Sequence, residues 1–96
     1  MNNIPHLLVH HPKDNVGVVV LEGLEAGADM LCVCTHDDSD FRLAAKSDIP
    51  IGHKVALTDL AEGDTVIKYG EDIGKVVASV SQGEHVHVHN IKTKRW

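Results

Sequence analysis

The chain of 96 residues is poor in aromatic, cysteine and basic residues, and these shortages limit what it can be. One Phe, one Tyr and one Trp leave a core of aliphatic side chains, within a 43% hydrophobic composition rich in valine, isoleucine, leucine and alanine. Valine favours strands, so a mostly β domain is expected. Acidic residues outnumber basic ones by 14 to 9, and the net charge of −5 argues against binding nucleic-acid phosphates or an anionic membrane surface.

The two cysteines, Cys32 and Cys34, are separated by one residue. On a strand they share a face and lie about 6.6 Å apart, which is further than a disulfide usually spans. We predict two small hydrophobic side chains with no bridge between them. A metal site built on them would need further soft ligands, and the chain has no third cysteine.

Long hydrophobic runs are absent too. No apolar run approaches the ~20 residues of a membrane-spanning helix, and the first six residues lack the basic and apolar regions of a signal peptide. We therefore expect a cytoplasmic protein without membrane or nucleic-acid partners. A chain of this length suits one domain, residues 1–96, with little room for a self-contained active-site cleft.

Short valine-rich and apolar segments predict strands at residues 6–11, 16–21, 30–35 and 53–57. Gly17, inside the second of these, indicates a bulge or a close approach of another part of the chain. Residues 41–46 fit either the second strand of a hairpin or a short helix.

A pattern of apolar-x-x-apolar-x-x-Gly-x-x-apolar recurs at residues 21–30, 57–66 and 77–86. Two apolar residues three apart fit a single helical turn, the glycine permits a tight reversal, and the last apolar residue begins the next strand. The repeat predicts short strands joined by short pleats and single-turn helices, folded over on one another.

Three of the eight histidines, His85, His87 and His89, lie near the end and alternate with valines. An extended strand would place all three imidazoles on one face. His85 and His89 would then lie about 13 Å apart, so the three rings could not all reach one ion at roughly 2.1 Å unless the chain bends, although two could. The alternative is an exposed strand with ordinary polar histidines.

Several motifs in order resemble one family. They are Asp48-Ile49-Pro50-Ile51-Gly52-His53-Lys54-Val55-Ala56-Leu57, Gly63-Asp64-Thr65-Val66-Ile67-Lys68-Tyr69-Gly70, Ile73-Gly74 and Gly83-Glu84-His85-Val86-His87-Val88-His89-Asn90. Together they are similar to the SAF domain of the altronate/galactarate dehydratase family, from His10 to Arg95. This resemblance implies a β-clip fold, in which a long bent hairpin folds over on itself.

In the fused enzymes of this family the SAF domain is the front end of a longer polypeptide. This chain looks like the split arrangement, in which a small subunit is a separate chain, as in the alpha subunits of (2R)-sulfolactate sulfo-lyases; stand-alone small subunits of altronate dehydratase look much the same. The resemblance implies the small subunit of a heteromeric lyase, inactive alone, with a large catalytic subunit as its partner and possible homo-oligomers.

Both reactions are β-eliminations from a 2-hydroxy acid, in which a base takes a proton and hydroxide or sulfite leaves the neighbouring carbon. A divalent metal, expected to be iron(II) and shared with the large subunit, would act as Lewis acid.

On this interpretation the catalytic residues are His85 and His87, the metal ligands are His85, His87 and His89, and the substrate-binding residues are His53, Lys68 and Asn90. His53 and Asn90 could also complete the metal's ligands. For His53 the alternative is a surface loop, and for Lys68 a solvated strand residue.

Two other functions remain open at this level. One is a non-enzymatic SAF module that binds a sugar acid or another protein. The other is a metal carrier that uses the histidine strand.

Overall fold

The computed structural model describes residues 4–87 and 89–92, and in that part of the chain it contains nine strands and no helix. The strands are β1 (Leu7–Val9), β2 (Val16–Val19), β3 (Asp29–Cys34), β4 (Asp40–Ala44), β5 (Lys54–Ala56), β6 (Thr65–Lys68), β7 (Glu71–Val76), β8 (His85–Val86) and β9 (Ile91–Lys92). Nothing in the described residues could cross a membrane as a helix.

The strands form two sheets. Strand β8, which contains His85, pairs with the short β5 and is an edge strand of the larger sheet. The six-stranded sheet has the order β4-β3-β1-β2-β5-β8, and the three-stranded sheet has the order β6-β7-β9. The β1–β3 pair is parallel and the other pairs are antiparallel.

Asn15 joins the two sheets. Its amide nitrogen donates to the carbonyl of Thr65 (2.8 Å), and its amide oxygen accepts from the backbone nitrogen of Ile67 (2.8 Å). Because both atoms of the amide bond the backbone of β6, one side chain fixes how the smaller sheet meets the start of β2.

The core consists of two aliphatic clusters. The first lies under β1, β2 and β3 and includes Leu7, Val19 and Met30, all fully buried. The second is mostly valine: Val16, Ala56, Leu60, Val66, Val76, Val80 and Val86. Burying one such valine or leucine is worth roughly 1.5–3 kcal/mol. Val86, with none of its surface exposed, therefore anchors the histidine segment to the second cluster.

Strands appear in all four segments where they were predicted, and residues 41–46 follow the hairpin alternative, since β4 pairs with β3. The mostly β fold is confirmed, but the single-turn helices are not. The apolar pairs of the repeat end instead in isolated bridges, Leu24 with Ile49 and Leu60 with Val80. Leu60 and Val80 exchange backbone hydrogen bonds of 2.7 and 2.8 Å, so a distant segment satisfies the groups that a helical turn would have bonded locally.

The glycines of the repeat make the predicted reversals. Gly27, Gly63 and Gly83 have φ values of 90°, 95° and 89°. The nitrogen of each donates to a carbonyl at a strand end: Ala45, Val76 and Ala56, at 2.7, 2.7 and 2.9 Å. Each reversal is thus tied to another part of the fold.

Gly17 marks a close approach, as its place inside β2 predicted. A Cβ atom at this position would lie 2.3 Å from Cδ2 of Leu7. The first core cluster therefore packs directly against the backbone of β2.

Gly83 and Gly63 form a matched pair for a test of the turn before the histidines. Alanine at either position adopts an unfavourable φ, but a Cβ at Gly83 would also lie 2.3 Å from the carbonyl oxygen of Ala44, whereas nothing lies within 4 Å at Gly63. We expect Gly63→Ala to lower the free energy of unfolding by about 1–2 kcal/mol and Gly83→Ala by about 3–5 kcal/mol in urea denaturation. Equal losses would contradict the close approach.

The cysteines are free thiols, as predicted, and they differ in accessibility. Cys32 is fully buried, and burial raises the pKa of its thiol to about 12, while Cys34 is half-buried. At pH 8 only about one Cys32 thiol in 10⁴ is then ionised. We expect a thiol-specific disulfide reagent to label native Cys32→Ala at Cys34 and to leave Cys34→Ala unlabelled until denaturant is added. Comparable rates in the two native variants would show that Cys32 is exposed.

Candidate functional site

The segment that contains His85, His87 and His89 is bent, and it does not form the extended strand considered for it from the alternation. Strand β8 contains only His85 and Val86. The backbone nitrogens of Asn90 and Ile91 both donate to the carbonyl of His87, each at 3.1 Å. The chain therefore reverses immediately after His87 and returns as β9.

Asn90 holds this reversal. Its side chain is buried, its amide oxygen accepts from the backbone nitrogen of His87 (2.9 Å), and its amide nitrogen donates to the carbonyl of His85 (2.8 Å). Such local side-chain to backbone bonds are the reason asparagine favours turns. The amide thus positions the two histidines, and its predicted contact with substrate stays a prediction.

Strand pairing brings His53 to the same place. Val55 pairs with His85 and Lys54 with Val86 in the β5–β8 register, so His53 comes opposite His87 on the face that carries His85. Nδ1 of His53 lies 2.7 Å from Nε2 of His85, and the rings of His53 and His87 stack with centroids 3.8 Å apart. One ring nitrogen from each residue lies within 4.8 Å of the others. We call His53, His85 and His87 the histidine cluster.

His89 lies beside this cluster. Its ring centroid is 4.9 Å from that of His85, much closer than an extended strand allows, because the chain has turned. The side chain is exposed and is not one of the three nitrogens of the cluster. Sequence reasoning named His85 and His87, which the fold does bring together. It placed His53 among the substrate-binding residues, with a role as a further metal ligand as the other possibility.

The surroundings of the cluster favour uncharged imidazoles. Burial lowers the pKa of His85, and the neighbouring His89, His53 and His87 lower it further. The pKa of His87 is lowered by burial and then by His53 and Lys54. Neutral imidazole is the form that accepts a proton or binds a metal ion.

One atom of the cluster has no hydrogen-bonding partner in the described part of the chain. Nδ1 of His87 is buried and makes no hydrogen bond there. Leaving a buried polar atom without a partner costs about 1–3 kcal/mol, so a ligand or ion that reached it would gain that energy. Three imidazoles this close together, one of them with such an atom, fit the donor set of a divalent transition metal.

Lys68, which the sequence predicted to bind substrate, lies over the ring of Tyr69 and is not a member of the histidine cluster. Its ammonium is 4.9 Å from the centroid of the Tyr69 ring, and its charge lowers the pKa of Lys54 after burial has done so. Lys54, which follows His53 in the sequence, was not selected from the sequence. Its position directly after His53 was the one available signal.

A cavity of about 360 Å³ opens next to the cluster and is large enough for a small organic acid. Its lining residues are Ser47, Ala78, Ser79, Val80, Glu84, His85, His89 and Asn90. Oγ of Ser47 is buried and has no hydrogen-bond partner among the described residues. Sequence reasoning missed Ser47, since it carries no motif.

A second group of potential ligands, Cys34, His36 and Asp37, lies at the turn between β3 and β4. His36 and Asp37 are exposed, and the Asp37 carboxylate already accepts from the backbone nitrogen and hydroxyl of Ser39, at 3.0 and 2.7 Å. Those bonds lower the pKa of Asp37 and are sufficient to explain the turn.

Substitutions at Asn90 test how the cluster is held. We expect Asn90→Ala to lower the free energy of unfolding by about 2–4 kcal/mol, because two buried backbone groups lose their partners, and to displace the histidine ring signals in NMR spectra. Asn90→Asp keeps the acceptor for His87 and loses the donor to His85, so its loss should be smaller. Unchanged ring signals in Asn90→Ala would contradict the positioning role.

The chain is similar to several known proteins. The (2R)-sulfolactate sulfo-lyase subunit alpha of Chromohalobacter salexigens is 57% identical over 89 residues, covering 93% of this chain and 95% of that protein. The subunit of the same name from Paracoccus pantotrophus is 72% identical over 67 residues, covering 70% of this chain and all of that protein. The altronate dehydratase of Escherichia coli is 41% identical over 86 residues, which cover 86% of this chain and 15% of the relative. The family model for the altronate/galactarate dehydratase SAF domain matches residues 5–94, and the chain therefore belongs to that family, as its motifs predicted.

Proposed function

We propose that this chain is the small, alpha subunit of a heteromeric lyase that eliminates sulfite from (2R)-sulfolactate and yields pyruvate. Two relatives that it matches over almost their whole length are named as alpha subunits of that enzyme. The altronate dehydratase of Escherichia coli, in contrast, is matched over only 15% of its length. This difference favours a carbon–sulfur lyase over the dehydratases, which cleave a carbon–oxygen bond.

The reaction needs a base beside a bound acid. A base removes the proton from the carbon that carries the hydroxyl, the electron pair forms a double bond to the next carbon, and sulfite leaves from there. The resulting enol becomes pyruvate by moving the hydroxyl proton to carbon. A positioned general base commonly contributes 10²–10⁴-fold to such a rate.

The observation that carries the proposal is the pair His85 and His53 at the cavity. His85 lines the cavity, its lowered pKa keeps it neutral, and its Nε2 lies 2.7 Å from Nδ1 of His53. A proton taken by one ring is therefore stabilised by the other. His87 stacks on His53 and supports the same pair.

The charge of the cavity supports a partner subunit. Sulfolactate carries a carboxylate and a sulfonate, yet among the described residues the cavity lining includes no lysine or arginine, and Glu84 adds a negative charge. Two anionic groups are not held there without cations from elsewhere. The large subunit would supply them, which is why we expect the small subunit to be inactive alone.

We also propose a divalent metal, iron(II), at the shared site. It would supply a Lewis acid for the oxygens of the substrate, and His53, His85 and His87 are the residues of this chain that would face it.

Reconstitution tests the proposal. The purified chain should release no sulfite from (2R)-sulfolactate, and adding the large subunit should restore release of sulfite and pyruvate in equal amounts, with little dehydration of altronate. Equal activity of the chain alone and of the complex would overturn the subunit role. If the complex preferred altronate, the reaction would be the elimination of water and not of sulfite.

A histidine variant tests the base in the same complex. We expect His85→Ala to lower kcat by about 10²–10⁴-fold with assembly unchanged by gel filtration. His10→Ala, a surface histidine stacked on Tyr69, serves as the matched control and should keep the wild-type rate. A His85→Ala complex as active as the control would remove His85 from the mechanism.

A further inference from the structure

The histidine cluster is assembled entirely from one chain. His53 comes from the segment before β5, His85 from β8 and His87 from the turn after it. Their ring centroids are 3.8 Å (His53–His87), 4.9 Å (His53–His85) and 5.8 Å (His85–His87) apart. Nothing from a partner is needed to bring the three rings together.

Hydrogen bonding among the rings does not account for this arrangement. A neutral imidazole has one donor and one acceptor nitrogen, so three rings offer three of each. Within the described residues the cluster contains one short nitrogen–nitrogen contact, between His53 and His85, and Nδ1 of His87 is buried without a partner.

The geometry fits coordination. Two nitrogens that bind one ion at about 2.1 Å lie roughly 3.0–3.4 Å apart in octahedral or tetrahedral sites. The 2.7 Å contact in the cluster differs from this by a few tenths of an ångström, and all three nitrogens lie within 4.8 Å.

We infer that His53, His85 and His87 bind one divalent transition metal ion within this chain alone, through three imidazole nitrogens. Imidazole selects ions such as zinc(II), cobalt(II) and iron(II) over magnesium or calcium. Three protein ligands leave coordination positions open towards the surface, as in catalytic metal sites. This ligand set differs from the one expected from alternation: His53 takes the place of His89, and the ion does not need the large subunit.

This inference concerns binding by the isolated chain and does not depend on the lyase proposal. An ion held by Nδ1 of His53 and Nε2 of His85 occupies the nitrogens that share the proton in the proposed base, so the two roles belong to different states of the chain. If the ion binds and the complex is inactive, only the proposed reaction fails. If the complex is active and the isolated chain binds no ion, only this inference fails.

The test is a titration of the full chain, without a polyhistidine tag and freed of metal by a chelator. Cobalt(II) is the probe, followed by its visible absorption and by calorimetry, and zinc(II) is then added in competition. We expect one equivalent to bind and zinc(II) to displace it. Absence of saturable binding would overturn the inference.

Single substitutions identify the ligands. His53→Ala, His85→Ala and His87→Ala should each weaken cobalt(II) binding at least about tenfold, whereas His89→Ala and the control His10→Ala should change it by less than about threefold. His53→Gln keeps the size of the side chain and guards against a folding defect in His53→Ala. Binding that survives His53→Gln but is lost in His89→Ala would restore the alternating set and overturn this one. Binding lost in His36→Ala instead would place the ion at the turn after β3.

Discussion

The pairing of β5 with β8 is the contact on which the rest of the site depends. It joins residues 32 positions apart in the sequence and fixes His53 against His85. Val86, fully buried among the valines of the second core cluster, holds β8 in that register. Because side chains alternate across a strand, a slip of one residue would bury an imidazole and expose the valine, so the core specifies the site.

The turn before β8 also depends on contacts with distant parts of the chain. Three segments of the chain use the same local device, a glycine with positive φ whose nitrogen bonds a strand end. In the third copy the glycine is also packed against the carbonyl of Ala44, and its own carbonyl accepts from the nitrogen of Lys46 at 2.9 Å. The first two copies of the repeat thus have a structural role, and the third also places His85 at the edge of the larger sheet.

This chain supplies only part of the groups that the proposed reaction needs. The chain contributes neutral imidazoles, which suit a base or metal ligands, and a cavity whose described lining lacks cationic side chains. A substrate with two anionic groups requires positive charge from elsewhere. Under the proposed function, this division is the physical reason why the small subunit would act only together with a partner.

The sequence by itself determined the mostly β class, the free cysteines, the glycine reversals and the family, because these follow from residue type, spacing and ordered motifs within short segments. It also selected His85 and His87. It did not predict the reversal after His87, since that depends on the buried amide of Asn90 bonding the backbone of His85 and His87. It gave His53 as a possible further ligand without fixing its position, and it missed Ser47, because those contacts join segments that are distant in the chain. Only the tertiary structure decided that alternating histidines become part of a three-dimensional cluster: strand pairing and core burial set distances that no local pattern contains.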